Sequence, residues 1–122
     1  MNAQVFGRVS IEGIQAIALS RNGGTSLAPF ESLNLASYVG DSAENVSANL
    51  AIAKGLVSAN EISIMNADHG NTVRVVSEPG VANLGDGLIT KQADLALVAL
   101  AADCVPFGLV DPVNGVIAVG HA

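Results

Sequence analysis

Tryptophan is absent from this chain, and one tyrosine and three phenylalanines are the whole aromatic content of its 122 residues. A core here has to be built from Ala, Val, Leu and Ile. The single cysteine excludes an internal disulfide and points to a reducing compartment, so the expected location is cytoplasmic. Basic residues number only five, Arg8, Arg21, Lys54, Arg74 and Lys91, and they are scattered. With a net charge of −6 there is no stripe to neutralise a nucleic-acid backbone, and no nucleic-acid partner is expected. Polar residues interrupt every apolar run well short of the roughly 20 residues that a membrane span needs, so no membrane partner is expected either. The opening, MNAQVFGRVS, lacks the basic start and apolar stretch of a signal peptide.

What is abundant is aliphatic. Half the chain is hydrophobic and 13% is charged, which excludes the high-charge, low-hydrophobicity composition of a disordered chain. The length suits one small domain, taken as residues 1–122. There is no internal repeat. IQAIAL at 14–19 fits a buried strand, and Gly23-Gly24 after it marks a turn. Residues 27–41 have no clean period and read as a loop. Over 42–57, Val46, Leu50, Ala53 and Val57 recur at helical spacing. Asp41 is placed to cap that helix, with Glu44 three residues on. From there the pattern turns to strands. EISIMNADH and NTVRVVS lead, EPGVANLGDG is turn-rich, and DLALVALAA reads as a strand covered on both faces. FGLVD and GVIAVGH are two further strands, joined as antiparallel neighbours by the turn chemistry of DPVNG. The expected fold class is α+β or layered α/β, strand-rich in its second half.

Groups able to hold a metal are few, which makes them informative. His69, Cys104 and His121 each follow a strand-like run. Two imidazoles and a thiolate can bind zinc while leaving a fourth position for water or substrate, the catalytic form of a zinc site. The spacing is long-range, with no CxxC or HExxH. A lone buried Cys packing as a small hydrophobe, and histidines that are simply hydrogen-bonded, remain open on the residues alone. Arg21 beside Gly23 and Gly24 has the chemistry of a phosphate clamp, a guanidinium next to backbone N–H groups, and equally of a surface Arg at a glycine turn. Asn34 could bond a ribose hydroxyl or serve as a turn residue. Asp68 and Asp103 precede candidate ligands. Neighbours on a strand point to opposite faces, so neither easily orients the ligand beside it, though either could orient one on another strand. Asp86 reads as a turn residue.

Three blocks carry a family resemblance. SRNGGTSLAPFESLNLASYVGD is similar to an R-x-GG-x-S block followed by SLNL and GD. DHGNTV is similar to QxHG-x-x-V. GDGLITKQADLALVALAADCVPFGLVDPVNGVIAVGHA is similar to aDalvT, then ADCvPvll-DP, then the start of HAGWRG. In this order they resemble the bacterial multicopper polyphenol oxidase or laccase-domain family, also described as purine nucleoside phosphorylases and peptidoglycan editing factors. The resemblance implies an α/β/β/α layered sandwich, zinc held by His69, Cys104 and His121, and Arg21 and Asn34 near the active site. The implied activity is zinc-dependent phosphorolysis of adenosine, inosine or methylthioadenosine, with adenosine deamination beside it; the partners are then a purine nucleoside and phosphate. Two departures stand out. The family's Gln before x-His-Gly is Ala67 here, and the family motif continues through Gly-Trp-Arg-Gly and a second half. The expectation is therefore an N-terminal half of a larger family domain, which self-associates or pairs with a chain supplying the rest, or else is a non-catalytic interaction module.

Copper is the alternative metal, since a His/Cys/His set also serves blue-copper carriers. Against it, a multicopper centre needs many histidines and this chain has two. The only candidate axial methionine besides Met1 is Met65, four residues before His69.

Overall fold

The computed structural model describes Ala3 and residues 5–122. Met1, Asn2 and Gln4, which belong to the opening read above as lacking a signal peptide, lie outside the described residues. The fold is mixed α+β, mostly strands with one helix among the described residues, as the sequence pattern indicates. The chain forms two compact units, Met1–Ser58 and Ala59–Ala122.

In the first unit, β1 (Val5–Ile11) and β2 (Ile14–Leu19) form an antiparallel hairpin. IQAIAL is a strand, but a half-covered one rather than a buried one: in the two-stranded sheet, Gln15, Ala16 and Ala18 stay exposed. A long loop then leads to α1 (Ala43–Val57). Its N-cap is Ser42, whose hydroxyl accepts from Asn45 N at 3.3 Å, not Asp41. Asp41 is drawn away because its carboxylate is already taken by the loop: Oδ2 accepts from Ser26 Oγ at 2.5 Å and from Asn34 Nδ2 at 3.1 Å. Glu44 in the first turn and Lys54 in the last complement the helix dipole. Ser58 ends the helix in the left-handed conformation.

The helix buries Val46, Asn49 and Ala53. Asn49 is fully buried and is the polar centre of this unit. Its two Nδ2 protons are shared among Ser26 Oγ (2.9 Å), Ser32 O (3.1 Å) and Asn34 O (2.8 Å). Its Oδ1 accepts from Thr25 N at 2.8 Å and Thr25 Oγ1 at 3.2 Å. A loop with no ladder of its own must find partners for its backbone groups elsewhere, and one amide side chain supplies several. Leu33, Leu35 and Ala36 pack as the apolar part of the same loop.

The second unit holds two sheets. The first has the order β5-β3-β7, all parallel, from β5 (Gly80–Leu84), β3 (Glu61–Asn66) and β7 (Leu95–Val98). The central strand β3 is buried from Ile62 to Met65, as an apolar strand covered on both faces should be. The second has the order β4-β6-β9-β8, from β4 (Val73–Val75), β6 (Gly87–Thr90), β9 (Val116–His121) and β8 (Pro106–Asp111). β8 and β9 are the antiparallel neighbours expected across DPVNG, with Asp111 paired to Val116 and Pro106 to His121. Asp111 closes that turn by accepting from Val113 N and Asn114 N. Two expectations are corrected. DLALVALAA is a strand only over Leu95–Val98, with Leu95 alone buried. The stretch read as turn-rich, EPGVANLGDG, contains β5, and its last residue, Gly87, begins β6.

Candidate functional site

β6 lies between β4 and β9, and this order builds the site. Gly87, the first residue of β6, pairs with Val73 on one side and Gly120 on the other. Asp86, one residue earlier, is therefore flanked by the turn that precedes β4 and by the end of β9. That turn carries His69, and β9 ends at His121. The backbone fixes the arrangement: Asp86 N donates to Thr72 O at 2.9 Å, and His121 N donates to Asp86 O at 3.4 Å.

The side chain of Asp86 then gathers four donors. Oδ1 lies 2.5 Å from His121 Nε2 and accepts from His69 N at 2.8 Å and Asp68 N at 3.1 Å. Oδ2 accepts from Gly70 N at 2.7 Å. The His121 and Asp86 side chains are only 5% and 7% exposed, so the contact is shielded from water. The hydrogen bond from His121 is the largest cause holding the Asp86 carboxyl far below the ordinary aspartate range. Partial desolvation pushes the other way, and the N–H groups of Gly70, His69 and Asp68 add to the lowering. His69 has φ +58°, a left-handed conformation that costs a non-glycine residue about 1–2 kcal/mol. The three backbone bonds to Asp86 offset that cost and hold the turn.

Two imidazoles on one tetrahedral zinc, at Zn–N of about 2.0–2.1 Å, have ring centres roughly 5 Å apart. The rings of His69 and His121 are centred 5.4 Å apart and tilted by 53°. The spacing is within the range of two ligands of one metal and equally of an ordinary tilted ring contact. Cys104 does not complete the set here: among the described residues no three His, Cys, Asp or Glu side chains converge as a metal-holding group. The register nevertheless brings Cys104 to the same end of the sheet. Pro106 pairs with His121, and Val105 and Ala122 exchange backbone bonds of 2.8 and 3.0 Å. Cys104 sits in the bend just before that pair, half-buried and without a disulfide. Met65 is buried within β3, among the core residues.

Arg21 and Asn34 belong to the first unit. Arg21 is exposed; its Nε donates to Glu31 O at 2.8 Å, and its carbonyl accepts from Ser32 N and Leu33 N. Asn34 uses its amide within the loop: Oδ1 accepts from Ala36 N, and Nδ2 donates to Ala36 O and Asp41 Oδ2. The N–H of Gly24, considered above for an anion, donates to Ser32 Oγ at 3.0 Å. Gly24 itself is packed so closely that a Cβ there would lie 2.5 Å from both Asn49 Oδ1 and Leu33 Cα, and nearer still to Ser32 O.

Sequence reasoning missed Asp86 and Asn49. Asp86 stands in GDGLIT, which reads as a turn, and only the strand order reveals that it lies between the two histidines. Asn49 lies on the apolar stripe of α1, one residue before Leu50, where a polar residue is a visible anomaly.

The α+β fold is shared with solved bacterial proteins. A Neisseria meningitidis protein matches with a TM-score of 0.78 at 25% identity, over 100% of this chain and 50% of that one. YlmD from Geobacillus stearothermophilus matches with a TM-score of 0.80 at 31% identity, over 90% of this chain and 45% of that one. Residues 15–122 match the family described as multi-copper polyphenol oxidoreductase laccase, and the chain belongs to that family. Among its relatives, a purine nucleoside phosphorylase of Mycobacterium tuberculosis is 40% identical over 121 residues, spanning 95% of this chain and 48% of that protein. An adenosine deaminase from an unknown prokaryotic organism is 30% identical over 125 residues, spanning 93% and 48%. The chain thus spans about half the length of the curated relatives it matches. No helix among the described residues is long and apolar enough to cross a membrane.

Proposed function

We propose that this chain carries the metal-binding half of a purine nucleoside phosphorylase with adenosine deaminase activity, acting in the cytoplasm. The observation that carries the reading is the His69–His121 pair, spaced within the range of two ligands of one metal, in a chain whose relatives bear those two names. His69, Cys104 and His121 would hold zinc, with Cys104 joining by a change in the bend that precedes β8. Zinc with an open position lowers the pKa of its water to about 7 and so supplies a hydroxide at neutral pH.

Two residues of the first unit carry the other proposed roles. Arg21 would meet phosphate through its Nη atoms, its Nε being tied to Glu31 O, which sets the direction of the guanidinium. Asn34 would hold the SLNL loop in shape. A ribose contact through it requires exchanging one of its bonds to Ala36 or Asp41. Exposed apolar residues on and beside β8, Val105, Phe107 and Leu109, support a further proposal: a second copy, or a chain supplying the remainder of the domain, covers this edge. Sedimentation showing only monomer at micromolar concentration would remove that part of the reading.

The test is base release from adenosine, inosine and methylthioadenosine by zinc-loaded chain, with and without inorganic phosphate, alongside conversion of adenosine to inosine. Phosphate-dependent base release that is lost in Arg21→Ala is expected. Zinc bound but no turnover of any kind would leave a non-catalytic binding fragment. An intense blue protein after copper loading, with zinc not retained, would move the site to copper chemistry.

A further inference from the structure

We infer that Asp86 is the positioning residue of the two-histidine site: one carboxylate fixes the His69 turn and, at the same time, sets which ring nitrogen of His121 can bind a metal. The second part rests on the metal reading above; the first does not.

The inference follows from the donor inventory. An ionised carboxylate only accepts hydrogen bonds. At 2.5 Å, His121 Nε2 must therefore carry the proton shared with Asp86 Oδ1. The neutral ring then has its lone pair on Nδ1, which is left as the ligand atom. A carboxylate behind a metal-binding imidazole fixes its tautomer and direction, and Asp86 stands in that relation to His121. Its hold on His69 is different and acts through the backbone. Three consecutive N–H groups, from Asp68, His69 and Gly70, point at its two oxygens. Those bonds keep His69 in its left-handed conformation, which directs the ring towards His121. Neither histidine holds its place independently: the two are joined through one side chain at the head of the central strand β6.

The experiment uses the metal-free chain first. Long-range 1H–15N NMR spectra, recorded across a range of pH, report which ring nitrogens of each histidine carry protons. Once neutral, His121 is expected as the Nε2–H form in the wild type and as a mixture in Asp86→Ala. Amide exchange at Asp68, His69 and Gly70 should accelerate in Asp86→Ala while Ile62 and Ile64 in β3 keep their protection. Asp86→Asn retains one acceptor oxygen and should keep part of either effect. A wild-type His121 in the Nδ1–H form overturns the proposal even if the alanine variant does not fold, and so does unchanged exchange in a folded Asp86→Ala. Zinc alone is then titrated against a chromophoric chelator. Asp86→Asn should bind it about 10–100-fold more weakly than wild type, and equal affinity would refute positioning towards a metal. If the wild type binds no zinc but shows the tautomer and exchange pattern, the zinc reading fails and the clamp stands.

Discussion

Asn49 offers the most quantitative test of how the first unit is held. In Asn49→Leu the side chain keeps a similar volume and loses all its polar atoms. Ser32 O still has Ser26 N at 2.9 Å, and Ser26 Oγ still has Asp41 Oδ2. Thr25 N and Asn34 O, by contrast, lose the bonds of 2.8 Å that Asn49 provides. Both bonds are part-buried and Thr25 is an exposed residue, so each is worth about 0.5–1.5 kcal/mol and the substitution should cost about 1–3 kcal/mol. That is a measurable share of the roughly 5–15 kcal/mol by which a domain is stable. Tyr38 is the only tyrosine, there is no tryptophan, and it lies in this unit, so its fluorescence in a urea titration reports this unit alone. Asn49→Asp should also destabilise, because a carboxylate keeps the acceptor side but cannot donate to Asn34 O. A loss below about 1 kcal/mol in Asn49→Leu would refute the claim that this amide organises the loop.

The glycines give a contrast. Gly24→Ala meets backbone atoms on two sides and should cost about 3 kcal/mol, whereas Gly120→Ala first meets the tip of the Phe107 ring at 2.7 Å, which can swing away, and should cost about 1 kcal/mol; urea midpoints of the two variants decide it. Asp41 makes the first unit acid-sensitive. Its carboxyl is held below the ordinary range mainly by the Ser26 hydroxyl, then by Asn34 and by Ser42 N, against partial desolvation. A depressed folded value means that its stabilisation is complete above the ordinary aspartate value of about 3.9 and is lost as pH falls through the lower folded value. Tyr38-monitored urea midpoints should therefore fall across that acid window in the wild type and fall less steeply in Asp41→Asn.

Much of the fold was legible because local chemistry and tertiary context agree. The helix over 42–57 appears as Ala43–Val57, since its apolar spacing and polar flank need no outside help. The DPVNG turn specifies the β8–β9 pairing in the same local way. The cap moved from Asp41 to Ser42 because a distant hydroxyl, Ser26, and a distant amide, Asn34, compete for the Asp41 carboxylate. IQAIAL is more exposed than its composition suggests, because apolarity records what a strand can bury and not what covers it. At the site, the scarcity of ligand-type residues, their place after strand-like runs and the family resemblance single out both histidines, and the structure brings their rings together. Asp86 could not be found that way. Its importance comes from β6 lying between β4 and β9, a long-range order that no short stretch encodes.

The most direct single measurement is the metal content of the purified chain, taken beside Cys104→Ala, His69→Ala and His121→Ala. If the three residues hold one ion, about one zinc per wild-type chain is expected, lost or strongly weakened in each variant, because a three-ligand catalytic site cannot spare one. A wild-type chain free of zinc after exposure to it, or one whose zinc survives Cys104→Ala unchanged, would contradict the assignment.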